Sequence, residues 1–308
     1  MRPLQLTQLV VLFVLLTTVI SNDYKTTVAR ELAFMSLATY ESSSSINNWN
    51  CGPCKSYQLE KVQCDTIGAL DLQWFSGHSP SLKGIVLAFR GSSNIQNWIS
   101  NLNFNMVGYP NCAKCQVHNG FYTNWQAAYR PVLNRIQSLK SLYRDAPIFI
   151  TGHSLGAALA VLAAADIQHL YGGVQSLITF GEPRVGNQHF SDYYQSVLVG
   201  FRVIHKADVV PHIPLTGQGF FHEGREVWYK SSMSDYKMCS YGEPGSCSNS
   251  LPLTTYNTGD HDMHAYAKLA ASSSFMDFFK GGEKDFLSSV QQFVEKERYR
   301  YKKNLSEQ

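Results

Sequence analysis

One serine lies in a local sequence that is typical of a catalytic nucleophile. Ser154 is the centre of Gly-His-Ser-Leu-Gly, between the apolar run Ile-Phe-Ile at 148–150 and the small residues Ala-Ala-Leu-Ala at 157–160. This order predicts a strand, a tight turn and a helix, and a serine at such a turn is held in a strained conformation that exposes its Oγ. The alternative is a serine that only caps a helix, and the buried strand before it argues against this.

The residues around Ser154 fit the same chemistry. Gly152 and Gly156 are expected because a Cβ at either position would collide with the closely passing strand and helix. The amide of Leu155 opens the helix and points to where a negatively charged oxygen would form during attack on an ester or amide. The pentapeptide therefore predicts nucleophilic catalysis by a serine.

A nucleophilic serine needs a base, and the base needs an acid that fixes its tautomer. With a nucleophile on this type of turn, the acid and then the histidine follow it along the chain. Asp208 is the strongest candidate because it directly follows the apolar strand predicted at 201–205, and chemistry collects at the carboxyl ends of parallel strands. Its alternative is a simple turn residue. Asp166 and Asp192 fall in helical patterns and are weaker candidates.

Two histidines after Asp208 could be presented from a separate loop. They are His261 and His264, in Gly-Asp-His-Asp-Met-His. His205 and His212 are too close to Asp208 in sequence, and His153 should point away from its neighbour at the end of an extended strand. The residues alone leave the choice between His261 and His264 open.

Composition and the first residues indicate an exported enzyme-sized protein. The 308 residues, 44% of them hydrophobic, suffice for one large α/β domain. A net charge of +3 is too small and dispersed to indicate nucleic-acid binding. Residues 1–21 resemble a secretory signal, and no later apolar run predicts a membrane span. The protein is therefore expected to be secreted or luminal, either extracellular or vacuolar/lysosomal.

Cysteine spacing agrees with an oxidising compartment. Six of the seven cysteines form three sequence-local pairs, Cys51 with Cys54, Cys112 with Cys115, and Cys239 with Cys247. We predict three disulfides, although the two Cys-x-x-Cys pairs could also form a zinc site. Cys64 is predicted to be a buried thiol that packs as a small apolar side chain.

Strand-like and helix-like segments alternate along the chain, which predicts a largely parallel sheet with right-handed crossovers. Helices are predicted at 28–40, 124–143 and 156–170, strands at 62–67, 68–75, 84–89, 148–153, 176–180 and 201–205, and a loop at 42–45. Residues 276–308 are predicted to form a C-terminal amphipathic helical extension with a basic end. It is expected to pack on its own domain or to contact a membrane or partner.

Five blocks of residues together resemble the secreted class 3 lipases, a family of α/β-hydrolases that includes fungal triacylglycerol lipases and feruloyl esterases. The blocks are Ala-Phe-Arg-Gly-Ser-Ser at 88–93, Val-His-Asn-Gly-Phe at 117–121, Thr-Gly-His-Ser-Leu-Gly at 151–156, Gly-Glu-Pro-Arg-Val-Gly-Asn at 181–187 and Asp-Val-Val-Pro-His-Ile-Pro at 208–214. The resemblance implies an α/β-hydrolase domain at 22–275, with a mostly parallel central sheet, helices on both faces and a short helical lid.

The resemblance also implies roles for single residues. Ser154 looks like the nucleophile, Asp208 its acid and His261 the base. Ser92 looks like the residue whose amide and hydroxyl complete an oxyanion hole opposite the amide of Leu155.

The chain departs from the family pattern just after the proposed base. The family usually carries an aromatic residue three positions after its catalytic histidine. Here His264 occupies that position and Tyr266 comes later. The choice between His261 and His264 therefore stays open.

An apolar stripe follows the predicted oxyanion residue. Ile95, Trp98, Ile99 and Leu102 recur at helical spacing within residues 93–102. A short helix buried against the core is one interpretation. The resemblance implies instead a mobile, substrate-contacting lid that turns its apolar face toward lipid.

These features predict a monomeric serine ester hydrolase that cleaves triacylglycerol at a lipid interface and touches a membrane or emulsion surface transiently. The chemistry needs no metal or organic cofactor, and no nucleic-acid partner is expected. A soluble carboxylesterase, a feruloyl-type esterase or a phospholipase would use the same fold. A non-catalytic lipid-binding relative is the alternative from another class.

Overall fold

The computed structural model describes residues 23–231 and 234–268. The predicted signal segment at 1–21 and the predicted extension at 276–308 lie outside the described residues. Within the described ranges, no helix combines the length and apolar character that a membrane crossing requires.

Eight of the ten described strands form one sheet, in the order β1-β2-β3-β6-β7-β8-β9-β10. The strands are β1 (Glu60–Ile67), β2 (Leu72–Ser79), β3 (Gly84–Phe89), β4 (Met106–Gly108), β5 (Gln116–His118), β6 (Ile148–His153), β7 (Val174–Phe180), β8 (Gly200–His205), β9 (Arg225–Tyr229) and β10 (Lys237–Tyr241). The pairs from β3 to β9 are parallel, and the strands at both edges are antiparallel. The strands β4 and β5 form a separate two-stranded ribbon.

Helices cover both faces of the sheet. They are α1 (Thr26–Ala38), α2 (Ser43–Asn47), α3 (Ile95–Ser100), α4 (Asn119–Leu142), α5 (Leu155–Tyr171), α6 (Gln188–Val197) and α7 (Met263–Ala267). The helices α4, α5 and α6 share one apolar core with one face of the sheet, and α1 and α7 share a second core with the other. Central strands such as β3 are buried along their whole length because both faces are covered. The expected α/β fold is confirmed.

Two predicted segments near the first strands differ from the structure. The strand predicted at 68–75 is interrupted, because Gly68–Leu70 forms a 3-10 turn and Asp71 takes the left-handed conformation. The loop predicted at 42–45 instead begins α2, because the Ser42 side chain accepts a hydrogen bond from the Ser45 amide and caps the helix.

The helix predicted at 124–143 begins five residues earlier, at Asn119. His118 caps it by accepting the Phe121 amide on its Nδ1, at 3.3 Å. Pro131 therefore lies inside the helix rather than in its first turns.

The three predicted cysteine pairs are bonded to each other in the structure, so their sulfurs are not available as zinc ligands. The Cys239–Cys247 bond joins β10 to the segment that leads toward His261. Cys64 is a buried free thiol, and burial raises its pKa to about 11.

Candidate active site

Ser154 lies on a sharp turn between β6 and α5, with φ 58° and ψ −130°. A non-glycine residue in such a conformation costs about 1–3 kcal/mol, and the surrounding packing maintains it. A Cβ on Gly152 would overlap the Gly156 carbonyl, and a Cβ on Gly156 would overlap the Phe89 carbonyl. The two glycines therefore let β3, β6 and α5 approach closely enough to hold Ser154 in this position.

The structure brings Asp208 and His261 together. Asp208 follows β8, and His261 ends a 3-10 turn at Gly259–His261. His261 donates its Nδ1 hydrogen to the Asp208 carboxylate, at 3.0 and 2.8 Å from the two oxygens. Both side chains are buried. This contact fixes the tautomer that leaves the other ring nitrogen, Nε2, as a proton acceptor.

Two further donors bind the Asp208 carboxylate. The Val210 amide donates to Oδ1 at 2.8 Å, and the Tyr266 hydroxyl donates to Oδ2 at 2.5 Å. Burial by itself would raise the pKa of Asp208, but His261 and these hydrogen bonds outweigh burial and lower it. Asp208 is therefore held as a carboxylate, while burial and Asp208 raise the pKa of Tyr266 well above its usual value.

The sequence pattern gave Tyr266 no role in the site. It lies in α7, five positions after His261, and still reaches the carboxylate. His264 is the second residue of the same short helix, where its amide donates to the Asp262 side chain at 2.9 Å. The imidazole that contacts Asp208 belongs to His261.

His153 supports the backbone of His261. Its Nε2 donates to the His261 carbonyl at 2.8 Å, so its Nδ1 accepts the Tyr40 hydroxyl at 2.6 Å. The two imidazoles stack with centroids 4.4 Å apart. Burial and the neighbouring His261 lower the pKa of His153 well below its usual value. His153 thus links the segment after α1 to His261, and the two lie far apart in the sequence.

Gly181 makes room for the pair at the end of β7. Its φ is +57°, and a Cβ at this position would lie 2.8 Å from atoms of both Asp208 and His261. The glycine is therefore required on both conformational and steric grounds.

The two groups that would exchange a proton are not engaged elsewhere. The Ser154 Oγ and the His261 Nε2 are both buried and have no hydrogen-bond partner among the described residues. In structures without substrate, catalytic hydrogen bonds are often long and tighten only in the complex.

Ser92 lies after β3, in a segment that passes against the Ser154 turn. A Cβ on the preceding Gly91 would lie 2.9 Å from the Ser154 Cβ. The Ser92 hydroxyl donates to the Asn94 carbonyl at 3.2 Å. Ser92 and Leu155 line one cleft of about 520 Å³. As the first residue of α5, Leu155 has an amide without an acceptor inside the helix.

The apolar stripe lies on α3, which is shorter than the predicted 93–102. The Asn94 side chain caps it by accepting the Asn97 amide at 2.9 Å. Ile99 is buried against a cluster that includes Val209 and Val210, next to Asp208, and Ile95, Trp98 and Leu102 pack on the same cluster. Trp98 also stacks on Phe121, with centroids 6.0 Å apart. In this conformation α3 is closed onto the segment that follows Asp208.

The chain is similar to lipases in sequence. The family description Lipase (class 3) matches residues 86–218. The chain is 33% identical to a lipase of Rhizopus niveus over 218 residues, which cover 68% of this chain and 56% of the relative. It is 33% identical to a lipase of Rhizomucor miehei over 216 residues, 67% of this chain and 60% of the relative. The chain thus matches less than two thirds of the length of these relatives.

The chain is also similar to a solved structure, and this match covers a larger share of the similar protein than the sequence matches do. It is described as a triacylglycerol lipase whose catalytic centre is a serine protease triad. The TM-score is 0.67 at 31% identity, and the match covers 76% of this chain and 91% of that chain.

Proposed function

The chain belongs to the class 3 lipase family, and from this premise we propose that it is a serine carboxylic ester hydrolase that cleaves triacylglycerol at lipid–water interfaces. The hydrogen bond between His261 and Asp208, with Ser154 on a strained turn nearby in the fold, is the observation that carries the proposal. The three residue types and their contacts are those of a nucleophile, base and acid.

The proposed reaction has two steps through an acyl-enzyme. The Ser154 hydroxyl gives its proton to His261 Nε2 as Oγ attacks the ester carbonyl carbon. The resulting oxyanion accepts hydrogen bonds from the Leu155 amide and from the amide and hydroxyl of Ser92. His261 then gives the proton to the departing alkoxide, which leaves as an alcohol. Water repeats the sequence on the acyl-enzyme and releases the fatty acid.

Asp208 acts on the reaction through His261. Its carboxylate keeps the imidazole in the tautomer with a free Nε2 and stabilises the imidazolium that forms during attack. The three donors to Asp208 keep the carboxylate ionised and oriented without competing for Nε2. The proposed steps draw only on side chains and backbone amides of this chain.

The proposed interface preference depends on α3. The closed helix keeps Ile99 and its stripe against the segment after Asp208, so an open form would expose apolar side chains to water. Contact with a lipid surface would remove that cost. We further propose that the protein is a monomer and that it works outside the cell. The second proposal is supported by three disulfides, which fit an oxidising environment, and by a Penicillium cyclopium relative that is named a secreted mono- and diacylglycerol lipase.

Ser154→Ala tests the proposal directly. Hydrolysis of emulsified triacylglycerol should fall to below about a thousandth of wild type, because a triad serine supports about a million-fold in turnover. Ser196→Ala, on an exposed position of α6, is the matched control and should keep full activity. A serine-directed phosphonate should label wild type and the control but not Ser154→Ala.

Two outcomes would contradict this proposal. A wild-type protein that binds lipid but neither hydrolyses esters nor takes the phosphonate would be a non-catalytic binder. A protein that hydrolyses dissolved esters and leaves emulsified triacylglycerol untouched would be an esterase with the same residues.

A further inference from the structure

A second cluster of buried polar side chains lies behind the segment that carries Asp208. It contains Glu182, directly after Gly181, and the consecutive residues His222 and Glu223. One ligand atom from each lies within 4.8 Å of the other two, and none of the three residues is more than 2% exposed. Two acidic side chains therefore share a site that excludes water.

Proton acceptors face one another in this cluster. His222 Nε2 donates to the Pro211 carbonyl at 2.7 Å, so its Nδ1 carries only a lone pair, and that atom is 3.6 Å from Glu182 Oε1. Glu182 Oε2 accepts the Thr179 hydroxyl at 2.6 Å. Among the described residues, Glu182 Oε1, His222 Nδ1 and both Glu223 oxygens have no donor. These four acceptor atoms therefore lack a proton, and the nearby guanidinium of Arg202, whose Nη1 is also without a partner among the described residues, donates to none of them.

The surrounding charges leave one carboxylate unbalanced. Arg184 is paired with Glu243, at 2.6 and 2.9 Å, so these two charges cancel. Arg202, on β8, donates to the backbone carbonyl of Glu223 at 2.7 Å and balances one carboxylate of the cluster. Tyr194 of α6 also faces the cluster, but it is neutral because burial and the two glutamates raise its pKa. One proton would neutralise the remaining charge, whereas a divalent cation would leave an excess positive charge.

We propose that Glu182 and Glu223 share one proton in the folded protein and that its loss at alkaline pH destabilises the Asp208-bearing segment. Burial raises the pKa of Glu223 to about 7, and burial together with Glu223 raises that of Glu182 well above its usual value. The shared proton supplies a donor between two oxygens that otherwise repel each other.

The cluster is connected to the candidate active site by hydrogen bonds. His222 binds the Pro211 carbonyl, and Arg184 binds the Pro214 carbonyl at 2.9 Å. Both acceptors belong to the segment that begins at Asp208. A second negative charge in the cluster would weaken these contacts and so the placement of Asp208. The effect on hydrolysis rests on the proposed function, but the effect on stability does not.

The test compares thermal and denaturant unfolding of wild type and Glu182→Gln between about pH 4 and pH 9. A carboxyl group whose folded pKa is raised binds more protons folded than unfolded, so its stabilisation is lost as pH rises from about 4.3 toward the folded pKa. Glutamine keeps a hydrogen on this side chain at every pH. The wild-type unfolding constant should therefore rise relative to that of Glu182→Gln by about tenfold per pH unit across this window.

Glu243→Gln is the matched control, and its effect on stability should depend on pH in the opposite direction. Burial opposes ionisation of Glu243, but Arg184 outweighs burial and lowers its pKa. Its loss should destabilise the protein at neutral and alkaline pH and have little effect at the acid end. Infrared spectra at neutral pH should also show the carbonyl stretch of an un-ionised carboxylic acid, and Glu182→Gln should lack it.

Three outcomes would overturn the proposal. Glu182→Gln could be destabilised by the same factor at every pH, which would mean that both carboxylates are ionised and paired. EDTA could lower the unfolding temperature of wild type and not of Glu182→Gln, which would identify a metal site. The carboxylic acid band could be absent at neutral pH. The unfolding experiments could give the expected result although the wild-type protein hydrolyses no ester. In that case the proposed function is wrong and the shared proton stands.

Discussion

Asp208 is the single residue on which most of the site's contacts converge. Its carboxylate accepts hydrogen bonds from a histidine, a tyrosine and a backbone amide, and Gly181 packs against it from β7. Hydrogen bonds to a charged group contribute about 1.5–3 kcal/mol each. Removing one of them should therefore be measurable without dismantling the other two.

Tyr266→Phe should lower kcat/KM by about tenfold or more, because it removes a donor to Asp208 and leaves the ring in place. The loss should also grow toward acid pH, since the pKa of Asp208 rises when a donor is lost and its carboxylate is then protonated more readily. A lower rate with an unchanged pH profile would assign Tyr266 to packing alone.

His264→Ala is the matched control in the same helix. It should keep substantial activity, whereas His261→Ala should match the loss in Ser154→Ala. The reverse pattern would transfer the role of base to His264.

Single residues with a local signature could be predicted from the sequence, and residues defined by distant contacts could not. Ser154 stands in a pentapeptide that determines its own backbone geometry, and Asp208 lies three residues after the end of a recognisable strand. The contact of Tyr40 with His153 joins residues 113 positions apart, and that of Tyr266 with Asp208 joins residues 58 positions apart. Their neighbours in sequence carry no pattern that indicates these pairings.

Among the elements, α3 lies beside the candidate site, because Asn97 and Trp98 line the same cleft as Ser92 and Leu155. It is a six-residue helix, capped by Asn94, and its buried side packs on residues next to Asp208. Six residues form too short a helix to be stable alone, so α3 depends on this packing. Under the proposed interfacial function, α3 would exchange its apolar contacts with the segment after Asp208 for contacts with lipid, so the net free-energy cost of moving it would be small.

The double variant Trp98→Ser, Ile99→Ser should lose the activation by a lipid interface and keep the ester hydrolysis itself. Each large apolar side chain costs about 1.5–3 kcal/mol to expose to water, so wild-type activity on a short-chain ester should rise steeply at its solubility limit. The double variant should lose that rise and keep its activity on dissolved ester. Gln96→Ser, on the exposed side of α3, should behave as wild type. Simple saturation by wild type, with no rise, would show that the stripe is ordinary core packing.

Helices and strands could be predicted from the sequence where a single physical cause, such as burial of an apolar run, determines them. The apolar runs of β3 and β6 predicted buried central strands, and the structure has them. The start of α4 could not be predicted, because its cap is the imidazole of His118 rather than the usual serine, threonine, aspartate or asparagine. The turn at Asp71 has no signal in the sequence, because a single left-handed residue interrupts an otherwise strand-like pattern.

For the whole molecule, the two apolar cores enclose or adjoin several histidines that are held neutral. Burial lowers the pKa of His118 to about 4, and burial together with Arg184 lowers that of His212 to about 3. The pKa values of His153, His205 and His222 are lowered too, in each case mainly by burial. A histidine with a lowered folded pKa stabilises the protein above about pH 6.5, and that contribution is lost as pH falls toward the folded value.

The free energy of unfolding should therefore fall steeply on acidification below about pH 6.5. His118→Gln removes one of the groups that bind a proton only after unfolding, so the free energy of unfolding should depend less on pH. Between about pH 6.5 and 4 the unfolding constant should change by about tenfold less per pH unit than in wild type. Denaturant titrations at several pH values measure this slope, whatever the stability of the variant at neutral pH. An unchanged slope would mean that His118 does not resist protonation in the folded protein.

These buried imidazoles have a consequence for the lifetime of the protein in different compartments. At these five histidines the unfolded chain can take up as many as five protons that the folded chain does not, and the one proton proposed for Glu182 and Glu223 offsets only part of this difference. Acidity therefore draws the protein toward the unfolded state. An acidic vacuole or lysosome would favour unfolding and degradation, whereas a near-neutral medium would preserve the fold. We expect the protein to unfold more readily, and so to be degraded faster, in an acidic organelle than in a near-neutral medium.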